Sequence, residues 1–183
     1  MEITRLILEI INTLAICAGV IVGIKAWKKQ LRGSVEYDLA RRYLKAIYSV
    51  RDAVKYVRNP FISIEEIAKA NKESGIKDSD YSDNKTIRAV YSKRWKKVID
   101  ARTDLDVELL EAEVIWGKEA IKVVTGFNIQ ITKLYVSLKK FLEEEIVKSD
   151  TDIIYDIGDK DKFNQELGEE ILKIEELLKP HLK

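Results

Sequence analysis

AIKVVTGFNIQITKLYVSLKKF, residues 120–141, carries the most regular apolar register in the chain. Ala120, Val124, Phe127, Ile131, Leu134, Leu138 and Phe141 alternate steps of four and three, so they share one face of a helix. That is the pattern of a bundle or coiled-coil seam, a stripe that other helices must cover. Gly126 lies inside the stretch, where a missing side chain allows a close helix contact.

The neighbouring stretches keep the same rhythm. From about Lys85, Tyr91, Trp95, Val98, Ala101, Leu105, Leu109, Ala112 and Ile115 or Trp116 recur at threes and fours. Gly117 then offers a turn or a kink. A turn makes this helix and the next an antiparallel pair, and compactness favours it. Upstream, Gly33-Ser34 reads as a break, with Ser34 as N-cap and Glu36 and Asp38 in a first turn that welcomes acids. Leu39, Tyr43, Ile47, Val50, Val54 and Val57 mark the buried face of that helix, and Asn59-Pro60 ends it. Ser63-Ile-Glu-Glu66 has capping-box spacing and predicts a short helix, with Phe61, Ile62, Ile64 and Ile67 pinning it to the bundle. KESGIKDSDYSDN, residues 72–84, reads as a surface loop. Ser149–Gly158 reads as an acidic connector. Asp159 is the expected cap of a last helix whose buried face is Phe163, Leu167, Ile171, Ile174 and Leu178, closed by Pro180.

The N-terminus is different in kind. Leu6–Ile24, LILEIINTLAICAGVIVGI, is apolar apart from Glu9 and Asn12, and it ends at Lys25, Lys28, Lys29 and Arg32. About 20 such residues suffice to cross a bilayer. A signal peptide would put its positive charge before the apolar run, and a buried core helix is the other alternative. The expected fold class is therefore all-α: an N-terminal transmembrane helix with a basic juxtamembrane end (residues 1–32), then a cytoplasmic antiparallel four-helix bundle (residues 33–183) with one long loop. Residues 25–58 hold ten Lys/Arg against three acids, which predicts a single-pass inner-membrane protein with a short N-terminus outside. Asn12, Ala15, Gly19 and Gly23 fall on one stripe of small and polar residues, which suits self-association. Lys25, Trp27, Lys28, Lys29 and Arg32 are the expected contacts with the membrane surface.

Composition narrows the chemistry. One cysteine, Cys17, excludes an internal disulfide framework and a Cys-based zinc site, and the single His181 leaves little for His-based catalysis. Residues 25–97 carry nineteen Lys/Arg against nine acids, while residues 98–183 carry twelve against twenty. No phosphate loop, zinc spacing, nucleophile elbow or dinucleotide fingerprint is present. Glu108, Glu111 and Glu113 lack the histidines a bundle metal site needs, and they read as a solvated helix face. KTIRAVYSKRWKK, residues 85–97, interleaves six basic residues with Tyr91 and Trp95. Tyr91 and Trp95, four apart, read as core-facing, so a nucleic acid is not the expected partner and lipid headgroups are the favoured anions.

Trp27-Lys-Lys-Gln-Leu-Arg-Gly33, Arg58-Asn-Pro-Phe61 and Val114-Ile-Trp-Gly117 together resemble uncharacterised prokaryotic single-pass membrane proteins with a helical cytoplasmic domain. The resemblance implies a location and a helical fold, and no activity. The expected function is a membrane-tethered interaction, scaffold or sensor module, without catalysis or cofactor. Its expected partners are the lipid bilayer, a second copy of the chain, and a cytosolic or membrane protein. The alternative is a membrane effector whose assembled helices perturb the bilayer under control of the bundle.

Overall fold

The computed structural model describes the backbone of residues 2–76, 84–143, 148–158 and 161–182, and their side chains except those of 2–15 and 148–150. Among these residues the structure is all helical: α1 (Glu2–Arg58), α2 (Ile64–Ser74), α3 (Asn84–Trp116), α4 (Glu119–Lys122), α5 (Thr125–Leu142), α6 (Lys148–Ile154) and α7 (Lys162–Leu178), closed by a 3-10 turn at Lys179–Leu182. Contacts divide the chain into two units, Met1–Asp38 and Leu39–Lys183.

Two expectations for the first unit are corrected. Among the described residues no helix is long and apolar enough to cross a membrane. The expected transmembrane helix, the single-pass membrane assignment and the inner-membrane, cytoplasmic-domain topology are withdrawn on that finding. Leu6–Ala15 of the apolar run lie outside the described side chains. Nor does Gly33-Ser34 break the chain, since α1 passes through it. One glycine costs a helix only about 1 kcal/mol relative to alanine, and Arg32 spans the position by pairing with Glu36 one turn on at 2.7 Å.

The second unit contains the core. From Leu39 onward, α1 buries Leu39, Tyr43, Ile47, Val50, Val54 and Val57 completely. Against them lie Val98, Leu105 and Ala112 of α3, Phe127, Ile131 and Leu134 of α5, and Phe163, Leu167 and Ile174 of α7. The side-chain pairs give the helix directions. Arg42 meets Glu108 while Tyr56 meets Arg94, so α1 and α3 run antiparallel. Tyr91 packs edge-on to Phe141 at 5.8 Å and Trp95 on Tyr135 at 5.1 Å, which makes α3 and α5 antiparallel. Lys133 reaches Glu166 and the Gly126 backbone abuts Glu170, so α7 returns along α5. Tyr48 donates to Glu175 and Arg58 to Asn164, which closes the ring antiparallel to α1.

Gly117 makes the turn between α3 and α5. Its φ of +75° is the left-handed conformation that an L side chain resists, and its N–H caps Glu113 C=O at 2.9 Å. The short α4 follows directly, placed by Tyr43, whose buried hydroxyl donates to Ala120 C=O at 2.9 Å. Burial pushes that phenol well above its ordinary range.

The stretch expected as an acidic connector contains α6, and Ile154 at its end is fully buried. Asp159 lies outside the described residues, and the cap of α7 is Asp161, which accepts from Asn164 N–H at 2.9 Å. Arg58, 1% exposed, holds this corner together. Its Nε donates to Ile153 C=O at 2.7 Å and its Nη1 to Asn164 Oδ1 at 2.6 Å. Its Nη2 donates to Asp161 Oδ2 at 2.7 Å, Tyr155 C=O at 2.8 Å and Asp152 C=O at 3.2 Å. The guanidinium also lies 4.4 Å from the centre of the Phe163 ring. The free carbonyls at the end of α6 thus find donors in a charged side chain of α1 rather than in water.

Candidate functional site

A groove of about 780 Å³ in the second unit is walled by α2, α3 and α5. α3 supplies Tyr91, Trp95 and Ile99, and α5 supplies Tyr135, Leu138 and Leu142. Tyr91 is buried, Trp95 half-buried, and Tyr135 and Ile99 are 47% and 53% exposed, so the floor grades from core to solvent. The Trp95 and Tyr135 rings sit 5.1 Å apart, tilted by 35°. Such apolar, aromatic-floored recesses are typical of recognition surfaces.

The rim is charged. Arg88, Lys93, Lys96 and Lys139 stand around it with Glu73, Asp100 and Glu143. Lys93 is engaged by Glu73 at 2.6 Å and Lys139 lies 3.9 Å from Glu143, while Arg88 and Lys96 are exposed on the α3 side. The hydrogen bond from Lys93 holds the Glu73 carboxyl below its ordinary value.

The α2 wall depends on one residue. Ser63 caps α2, accepting from Glu66 N–H at 3.2 Å, as the capping-box spacing predicts. The Glu66 side chain turns instead to Arg94, which is 1% exposed. Arg94 Nε and Nη2 donate to the two Glu66 oxygens at 2.6 and 2.8 Å, a planar fork against a planar carboxylate. Arg94 also donates to Phe61 C=O at 2.6 Å and to Asn59 C=O, and it faces the rings of Tyr56 and Tyr91. Tyr56 OH donates to Glu66 at 2.8 Å. The Arg94 hydrogen bond, aided by Tyr56, holds the Glu66 carboxyl below its ordinary value against the opposing pull of burial.

The residues expected from sequence to carry function stand elsewhere. Gly19 and Gly23 lie in the first unit, where a Cβ added to either would have nothing within 4 Å, and Asn12 and Ala15 lie outside the described side chains. Lys25, Trp27, Lys28, Lys29 and Arg32 are exposed. Of the three glutamates on α3, Glu108 and Glu111 both pair with Arg42. Among the described residues no group of three or more His, Cys, Asp or Glu is placed to hold a metal ion.

Arg94 is the residue that the sequence pattern puts on the wrong side. It belongs to a basic cluster that reads as solvent-facing, yet it lies three residues after Tyr91 and four before Val98, on the buried face. That register is the available signal. No known protein family, curated protein or solved structure matches this chain.

Proposed function

We propose that the second unit is a helical interaction module whose groove between α2, α3 and α5 takes an amphipathic helix carrying acids beside its apolar face. The observation that carries this reading is an aromatic floor, Trp95 on Tyr135, open to solvent beneath a rim where Arg88 and Lys96 are exposed. A helix laid in an apolar groove buries one stripe and leaves its flanks to the rim, so the rim charge selects the flank charge. The interaction-module class is the one expected from sequence, here without the membrane tether.

Two designed helical peptides test it, identical in their leucine and valine stripe, one flanked by glutamates and the other by lysines. Each carries a fluorescein at its N-terminus, so its anisotropy reports binding to the full chain and to its variants alike. The glutamate peptide binds saturably, and Trp95→Ala with Tyr135→Ala removes binding. Equal binding of both peptides, or of neither, overturns the reading.

A further inference from the structure

α3 is split by charge. Residues 84–97 carry Lys85, Arg88, Lys93, Arg94, Lys96 and Lys97 and no acid, whereas residues 98–116 carry Asp100, Asp104, Asp106, Glu108, Glu111 and Glu113 with Arg102 alone opposing them. The same helix exposes an apolar stripe in its acidic half: Val107 at 61%, Leu110 at 67% and Val114 at 85%. With Ile99 and Thr103, these follow steps of four, four, three and four, so they share a face. Arg88, Ser92, Trp95 and Lys96, four of the α3 residues that line the groove, precede Ile99 on that same face at steps of four, three, one and three. One surface of α3 therefore presents a basic-rimmed groove at its N-terminal end and an acid-flanked apolar stripe at its C-terminal end.

We infer that the occupant of the groove is the acidic half of α3 from a second copy of this chain, the two α3 helices packing antiparallel about a twofold axis. This rests on the proposed reading of the groove as a helix-binding site and names what fills it. A self-complementary patch is what an isologous dimer requires, because each copy gives its stripe and receives its partner's. Charge fixes the direction: a parallel pair would set basic on basic and acid on acid, and an antiparallel pair reverses both. It also fixes the register. Setting Val107 over Trp95 of the other copy brings Leu110 over Ser92, Asp106 beside Lys96 and Glu113 beside Arg88, and Ile99 then faces Thr103 across the axis. Two grooves are filled at once, over a helix face about 39 Å long at 1.5 Å per residue.

Charge exchange in the full chain is the test. Lys96→Glu places acid against acid at two symmetric contacts, and Asp106→Lys places base against base. Each alone weakens the dimer on the order of tenfold, from two surface contacts reversed in sign. Mixing the two variants restores dimer, because the mixed pair has one native contact and one exchanged contact, both of opposite charge. Sedimentation velocity reads the dissociation constants. In a Cys17→Ser background, an Ile99→Cys chain forms a disulfide with a Thr103→Cys chain in preference to either with itself. A chain that stays monomeric at high concentration, a dimer indifferent to both exchanges, or crosslinking without that preference overturns the inference. If the glutamate peptide still binds the groove in those cases, the groove reading stands and only the second copy is excluded as its occupant.

Discussion

Replacing Arg58 by methionine should cost the protein about 4 kcal/mol. The side chain makes five hydrogen bonds, to three backbone carbonyls, Asn164 and Asp161, and both it and Asp161 are almost wholly excluded from water. Methionine keeps the aliphatic stem against Phe163 and so avoids a cavity. What is lost is the charge, and the buried Asp161 carboxylate is left with only the Asn164 and Ile157 N–H groups and no cation. Breaking one side of a buried pair costs about 3–5 kcal/mol, and the freed carbonyls add to this unless the end of α6 opens to water. For a chain of this length about 4 kcal/mol lowers the melting temperature by roughly 8–16 °C. Urea unfolding followed by far-ultraviolet circular dichroism measures it, with an unchanged slope showing that the transition is the same. Arg51→Met is the control: its ion pair with Asp52, at 2.9 Å, lies at the surface with the two side chains 32% and 63% exposed, and its loss should cost no more than about 1 kcal/mol. Adding Asp161→Asn to Arg58→Met should recover part of the loss, since asparagine still caps α7 and leaves no unpaired charge. A loss below about 1 kcal/mol for Arg58→Met, or one equal to the Arg51 control, would refute the claim that this network holds α1, α6 and α7 together.

Three further outcomes follow from the same geometry. Ser63→Ala removes the cap of α2 and should cost about 1 kcal/mol in the same urea assay. Gly117→Ala has open space around the new methyl group, so its cost is that of the +75° φ alone, about 1–2 kcal/mol, read as a shift in melting temperature. Acid should destabilise the fold through two carboxyls. Arg94 holds Glu66 below its ordinary 4.5; at Asp161 burial pushes upward but Arg58 and the Asn164 and Ile157 N–H groups outweigh it, holding it below 3.8. Both bind protons more weakly folded than unfolded, so their stabilisation is fully present above about pH 4.5 and drains as pH falls through the folded values. Glu66→Gln should flatten the upper part of that decline in urea midpoints taken from about pH 6 to about pH 3.

Much of the second unit is legible in the sequence because its helices are amphipathic in one register. The six core positions read on α1 and the five on α7 are all buried, since an apolar stripe has few other places to go. Gly117 is readable as a break, and compactness favours the turn that the structure has, though sequence spacing alone does not reveal its positive φ. The buried arginines leave a fainter trace, which for Arg94 is only its register between Tyr91 and Val98. Arg58 and Arg94 have hydropathies that point outward, and their burial is decided by acceptors brought from 28 to 106 residues away, which no local pattern records. α6 is hidden for a related reason: its stretch has two apolar residues side by side, Ile153 and Ile154, and only the second is fully buried. The groove is invisible too. Trp95 fits the α3 register, Tyr135 lies just outside that of α5, and that they meet at an open edge depends on how α3 and α5 pair.

Arg94 links that edge back to the sequence. α2 contributes the groove wall at Ala70, Glu73 and Ser74, yet its own buried contact is small, Ile67 and Ala70 against Val90. Apolar area of that size gives a few kcal/mol at most, at about 25 cal/mol per Å², too little to fix an 11-residue helix that also has to be ordered. The fork between Arg94 and Glu66 supplies directional hydrogen bonds from the groove helix to the first turn of α2, while the Asn59 and Phe61 carbonyls fix the chain leading into it. The wall is therefore held from α3, by a residue two positions after Ser92 and one before Trp95 on the groove face. It follows that the Arg94–Glu66 pair positions the groove without lining its floor, and that Glu66→Gln should raise amide exchange in α2 while leaving the core amides of α5 and α7 protected. Equal acceleration in all three helices would mean that α2 is an integral part of the bundle and not a separately clamped wall.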